Sequence, residues 1–184
     1  MMMKHLPNLL TALRIAILPI IIGLFFIPEA WAAWTALGLY TIACITDFLD
    51  GYIARKMEIV SPLGTFLDPI SDKIFIASLL IVLVGFDRID GLWQIAAIII
   101  LSRELLVSGL REFLGPMNVQ LPVSKLAKWK TTVQMVALGF LVVGDYGDVL
   151  LPHTLVYGQW GLTIAAILTA ITGWAYLKAG LKHI

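Results

Sequence analysis

The chain has 184 residues, of which 60% are hydrophobic and 14% charged, and its mean hydropathy is +0.93. A soluble domain is about 45–50% apolar and about 25% charged, so the class is integral membrane protein, with one helical domain spanning residues 1–184. A net charge of +1 gives no sign of nucleic-acid binding, and the single cysteine, Cys44, excludes an intrachain disulfide and a cysteine-based zinc site.

Apolar runs of about 20 residues predict membrane-spanning helices. Six are expected, near 8–27, 31–56, 62–85, 92–114, 126–144 and 155–179. The first run begins after Lys4 and ends at Ala30-Trp31-Ala32-Ala33, in the manner of a signal peptide. Arg14 and Pro19 interrupt it and five more apolar runs follow, so it reads as an uncleaved first span. Breakers or charges separate the runs: Pro28-Glu29, Ser61-Pro62, Asp87 to Gly91, Gly115-Pro116 with Pro122, and Asp145 to Pro152. Asp145 and Asp148 read as a solvated loop.

Basic residues set the orientation. Alternating the loops puts Lys4, Arg14, Arg55, Lys56, Arg111, Lys125, Lys128, Lys130, Lys178 and Lys182 on one side, and Arg88 alone on the other. Both termini are therefore expected in the cytoplasm, with residues 47–72 at the cytoplasmic ends of spans two and three.

That stretch carries Asp47, Asp50, Asp68 and Asp72. On a helix, positions 47, 50, 51 and 54 share a face, as do 68 and 72 on the next helix. A short turn around Ser61-Pro62 makes the two helices antiparallel neighbours, so the acidic faces can meet. An uncompensated charge well inside a bilayer costs about 2.5–3.5 kcal/mol. Four would cost roughly 10–14 kcal/mol, comparable with the whole stability of a typical domain. Divalent cations relieve that cost directly. Oxygen-only ligands suit Mg²⁺ or Mn²⁺, and four carboxylates suffice for two ions about 4 Å apart, the arrangement used in phosphoryl displacement.

The pattern Asp47-x2-Asp50-Gly51-x2-Ala54-Arg55-x8-Gly64-x3-Asp68-x3-Asp72 resembles the signature of the CDP-alcohol phosphotransferases. The resemblance implies a six-span all-α fold, and two Mg²⁺ or Mn²⁺ ions bound by Asp47, Asp50, Asp68 and Asp72. It also implies that Asp72 is the general base for the acceptor hydroxyl. Gly51 and Ala54 would sit against the CDP group, Arg55 and Ser61 would contact its phosphates, and Gly64 would leave room near the nucleotide. Pro7-Asn8-Leu-Leu-Thr11-Ala-Leu-Arg14 looks like the family's opening, where Thr11 lies beside the CDP group. Arg14 itself either snorkels to the interface or pairs with the acidic site.

Span four carries Ser102-Arg103-Glu104 and Arg111-Glu112, and span five opens on Lys125-Leu-Ala-Lys128-Trp-Lys130-Thr131-Thr132-Val-Gln134-Met135. Together these resemble the bacterial members that transfer phosphatidyl from CDP-diacylglycerol to sn-glycerol 3-phosphate, the phosphatidylglycerophosphate synthases. A phosphomonoester acceptor needs cations of its own, and Arg103, Arg111 and Lys128 are the candidates; Lys125 and Lys130 read as flanking charges. The same resemblance implies a bacterial inner-membrane enzyme whose site faces the cytoplasm, and a homodimer. Within the family the alternative acceptors are serine, inositol phosphate and phosphatidylglycerol. Outside it the alternative is a metal-ion or proton transporter, which needs acids spread through the membrane depth rather than gathered at one side.

Overall fold

The computed structural model describes the backbone of residues 6–57, 62–115 and 125–183, and the side chains of 12–47, 70–115 and 126–182. Six helices form it: α1 (Leu6–Phe25), α2 (Ala30–Met57), α3 (Pro62–Gly85), α4 (Trp93–Leu114), α5 (Lys125–Val143) and α6 (Thr154–Gly180). They match the six apolar runs to within about two residues at most ends, and no strand occurs among the described residues. Such runs form helices because a helix satisfies its own backbone hydrogen bonds where water is scarce. Pro7 and Pro62 sit in first turns, where a missing N–H is no loss.

The helices alternate in direction. At one end Phe86 packs on Phe25 and Phe26, at 5.4 and 5.0 Å between ring centroids, and Trp93 packs on Trp160 at 5.0 Å. At the other end Arg14 meets Asp47 and Asp72, Lys73 meets Ser108, and Lys130 meets Glu104. α1 packs along both α2 and α3, α5 along α2 and α6, and α4 along α6. Stacking of Tyr40 on Phe75 joins α2 to α3 directly. The core runs through Ile21, Leu79, Leu83, Ile100, Leu138 and Leu162.

Small residues let the helices approach. A Cβ on Gly161 would stand 2.9 Å from the Ala137 Cβ, and one on Gly158 2.8 Å from the Leu141 Cγ, so α5 and α6 meet almost backbone to backbone. Outward, Ile20, Ile81, Ile98, Ile167 and Trp174 are exposed. Such an apolar exterior suits lipid, not water. By length and composition α4, α6 and the segment Leu126–Val149 are apolar enough to cross a membrane.

In the connection from Asp145 to Pro152 both aspartates are exposed, as a solvated loop requires, but its backbone is regular. Residues Gly144–Val149 wind into a 3₁₀ turn whose Gly144 and Gly147 are buried. Asp148 Oδ1 accepts the Thr154 N–H at 2.9 Å, satisfying one donor at the start of α6. Arg88 reaches across this end. Its Nη1 donates to the Leu141 and Val142 carbonyls, at 3.2 and 3.4 Å, capping α5 with a positive charge where the helix dipole is negative. Burial lowers the Arg88 pKa from its usual value, and nearby Asp145 and Tyr146 oppose the shift.

Gly144 makes room for that guanidinium. Its φ is +56°, and a Cβ there would fall 1.4 Å from the Arg88 Nη1. Gly144→Ala therefore meets left-handed strain of about 1–2 kcal/mol and displaces a charged donor. The expected loss is about 3 kcal/mol, read as a lower thermal midpoint in detergent, with turnover per folded molecule unchanged.

Candidate active site

The site lies at the opposite end from Arg88, and Arg14 is its centre. α1 carries this residue about two turns in, and its side chain is only 4% exposed. A buried guanidinium needs partners. Nη2 lies 2.7 Å from Asp47 Oδ1 on α2, and Nη1 donates to Asp72 Oδ1 on α3. One rigid fork thus gathers carboxylates from two helices. Pairing with the acids, rather than snorkelling, is the arrangement Arg14 adopts.

Beside this cluster opens a cavity of about 210 Å³. Asp47, Asp72 and Lys73 line one side, and Glu104, Lys130 and Gln134 the other. Phe75, Leu101 and Met135 are among the apolar residues between them. Across the cavity, Glu104 Oε1 accepts from Lys130 Nζ and lies 3.1 Å from Arg103 Nη1. Lys73 Nζ donates to Ser108 Oγ, tying α3 to α4. Gln134 Oε1 is buried without a hydrogen-bond partner among the described residues. A concave site with apolar walls and a few convergent charged groups is the usual form of a small-solute pocket.

Asp47 and Asp72 offer hard oxygen donors, and they already share one cation. That donor set fits Mg²⁺ or Mn²⁺ rather than zinc. Among the described residues no group of three or more His, Cys, Asp or Glu converges as a metal site.

A family model described as CDP-alcohol phosphatidyltransferase matches residues 4–172. The chain belongs to the CDP-alcohol phosphatidyltransferase family. It is similar to the CDP-diacylglycerol–glycerol-3-phosphate 3-phosphatidyltransferase of Rickettsia typhi, with 48% identity covering 96% of this chain and 97% of the relative. The Bacillus subtilis protein of the same name is 35% identical, over 96% of this chain and 95% of its own. A CMP-forming cardiolipin synthase of Oryza sativa subsp. japonica is 40% identical over 74% of this chain and 45% of its own length.

In this phosphatidyltransferase the expected site residues divide into four groups. Asp47 and Asp72 come together. Asp50, Gly51, Ala54 and Arg55 lie on α2 and Gly64 and Asp68 on α3, but their side chains, like that of Thr11 on α1, lie outside the described residues; Ser61 lies outside them altogether. Arg103 and Arg111 both stand near Tyr176 on α6, each guanidinium carbon 5.5 Å from the ring centroid. Lys128 is exposed, and none of Arg103, Arg111 and Lys128 lines the cavity.

Lys130, expected as a flanking charge, is instead 5% exposed and faces the cavity. Positions two apart on a helix point in nearly opposite directions, so only one of Lys128 and Lys130 can face inward. The sequence held a signal for Lys130. It shares the three-and-four spacing with Gln134, Ala137, Leu138 and Leu141, all buried. Glu104 carried a weaker one, since an acid inside an apolar run calls for a cation.

Proposed function

We propose that this protein is an integral membrane enzyme that transfers the phosphatidyl group from CDP-diacylglycerol to sn-glycerol 3-phosphate, releasing CMP. The convergence of Asp47 and Asp72 at the edge of a cavity rimmed by further cations carries the reading. Relatives named for this reaction, similar over nearly the full length of both chains, support it.

The acceptor hydroxyl oxygen attacks the β-phosphorus of the CDP-lipid. Asp72 takes its proton. The bond from the β-phosphorus to the bridging oxygen breaks, and CMP leaves with that oxygen. Asp47, Asp50, Asp68 and Asp72 would hold two Mg²⁺ or Mn²⁺ ions, which neutralise charge on the pyrophosphate and on departing CMP. Thr11, Gly51, Ala54, Arg55, Ser61 and Gly64 serve the CDP group. The acceptor phosphate falls to Arg103 and Arg111, which like Lys128 stand outside the cavity lining, with Lys130 within it. Phosphoryl transfer is mostly positioning and charge neutralisation, which suits a site made of fixed charges on rigid helices.

All six helices span the bacterial inner membrane in this reading, with both termini and the site at the cytoplasmic face. The basic excess at the site end supports that orientation. The site then lies where a lipid-borne donor and a water-soluble acceptor both arrive. The protein works as a homodimer. Within the spans the acids lie toward the site end alone, which gives a transporter no path through the membrane.

Purified protein given CDP-diacylglycerol and a panel of acceptors tests the reading. CMP release is expected with sn-glycerol 3-phosphate, and at most a few per cent of that rate (about 1.4 kcal/mol per tenfold step) with serine, inositol phosphate or phosphatidylglycerol. Release with one of these but not with glycerol 3-phosphate reassigns the acceptor.

A further inference from the structure

We infer that Tyr176 on α6 is a positioning residue for the acceptor phosphate, acting through Arg103 and Arg111. This rests on the reading that those two arginines meet the acceptor.

Arg103 and Arg111 are eight residues apart on α4, two helical turns. Each guanidinium carbon lies 5.5 Å from the centroid of the one Tyr176 ring, so the two are no further apart than twice that distance. A cation within about 6 Å of an aromatic ring is held by the ring's quadrupole. α6 is pressed onto α4 at the flanking positions. A Cβ on Gly173 would stand 2.7 Å from the Arg103 Cγ, and one on Gly180 2.7 Å from the Leu110 Cδ2. These glycines bring the ring to the arginines.

The ring, not the hydroxyl, makes the tie. Tyr176 is 5% exposed, and its hydroxyl has no hydrogen-bond partner among the described residues. Arg103 keeps Glu104 as a carboxylate partner, whereas Arg111 makes no ion pair among the described residues and is exposed. Two guanidinium groups gathered on one ring, with N–H donors left over, form a preorganised receptor for a phosphomonoester dianion. Preorganisation lowers the cost of binding without adding a contact to the ligand. A ring that touches no reacting atom should act on acceptor affinity and not on chemistry.

The test is steady-state kinetics on the full-length protein in detergent–lipid micelles, varying glycerol 3-phosphate and CDP-diacylglycerol separately. Tyr176→Leu should raise the KM for glycerol 3-phosphate about tenfold, the order that two partly desolvated cation–π contacts support. The kcat and the KM for CDP-diacylglycerol should move less than about twofold. Tyr176→Phe should restore the acceptor KM. Mono-, di- and trifluorinated phenylalanine at that position keep the shape while draining the ring's negative face, so the acceptor KM should climb step by step along the series. That series decides the matter even if Tyr176→Leu fails to fold. A flat series, with Arg103→Ala and Arg111→Ala still raising the acceptor KM, overturns the role of Tyr176. Arginine variants that leave the acceptor KM unchanged overturn the reading beneath it.

Discussion

Asp72→Asn lowers CMP release by about 10²–10⁴-fold, the usual contribution of a positioned general base. The substitution keeps size and one oxygen donor and removes the proton acceptor. Asp72 is suited to the test because its side chain is 52% exposed, at the mouth of the cavity, so it can be reached by a hydroxyl. Arg14 retains Asp47 in the variant, so the helix cluster stays tied. The protein should still insert, and should keep at least some affinity for the CDP-lipid, measured by retention of radiolabelled CDP-diacylglycerol in micelles. Turnover close to wild type would remove Asp72 from the role of base.

Arg14→Met destabilises the protein by about 2 kcal/mol in chelator. Breaking a fully buried ion pair costs about 3–5 kcal/mol. Here the group removed is the buried one. The carboxylates left behind, Asp47 and Asp72, are 31% and 52% exposed and can rehydrate, which brings the figure down. For a chain of this length the thermal midpoint should fall by about 6 °C. Added Mg²⁺ should recover more of that loss in Arg14→Met than it adds to the unsubstituted protein, because the acids then lack their resident cation. An equal Mg²⁺ effect on both would mean that Arg14 contributes packing and not charge.

Much of the fold was legible in the residues. Six apolar runs became six helices because each run had the length and composition to close its own hydrogen bonds, and breakers such as Ser61-Pro62 and Gly115-Pro116 stood between them. The acidic stretch was legible for a different reason. Carboxylates are costly in an apolar chain, so their spacing stands out, and the resemblance it carried was specific enough to place the family. The loop at 144–152 read as solvated from its polar composition, and Asp145 and Asp148 are exposed there; composition could not show that Asp148 also holds the start of α6 or that Gly144 leaves room for Arg88.

The acceptor side was harder. Lys128 and Lys130 cannot be told apart by charge or by distance from the span end. Only the phase of α5 against its neighbours separates them, and a two-residue shift in that phase would put Lys128 where Lys130 stands. Tyr176 was invisible for a related reason: an aromatic near the end of an apolar run looks like any interfacial ring until α4 is seen lying against it.

Residues 47–72 announced their chemistry along the chain, since an electrostatic penalty is a property of residue type and span and needs no knowledge of neighbours. Who compensates that charge is another matter. Arg14 lies 33 residues before Asp47 and 58 before Asp72, and Arg103 and Tyr176 are further apart still. Such pairings depend on which faces of α1, α4 and α6 are pressed together, and close packing of glycines and small side chains sets that only once the bundle has formed.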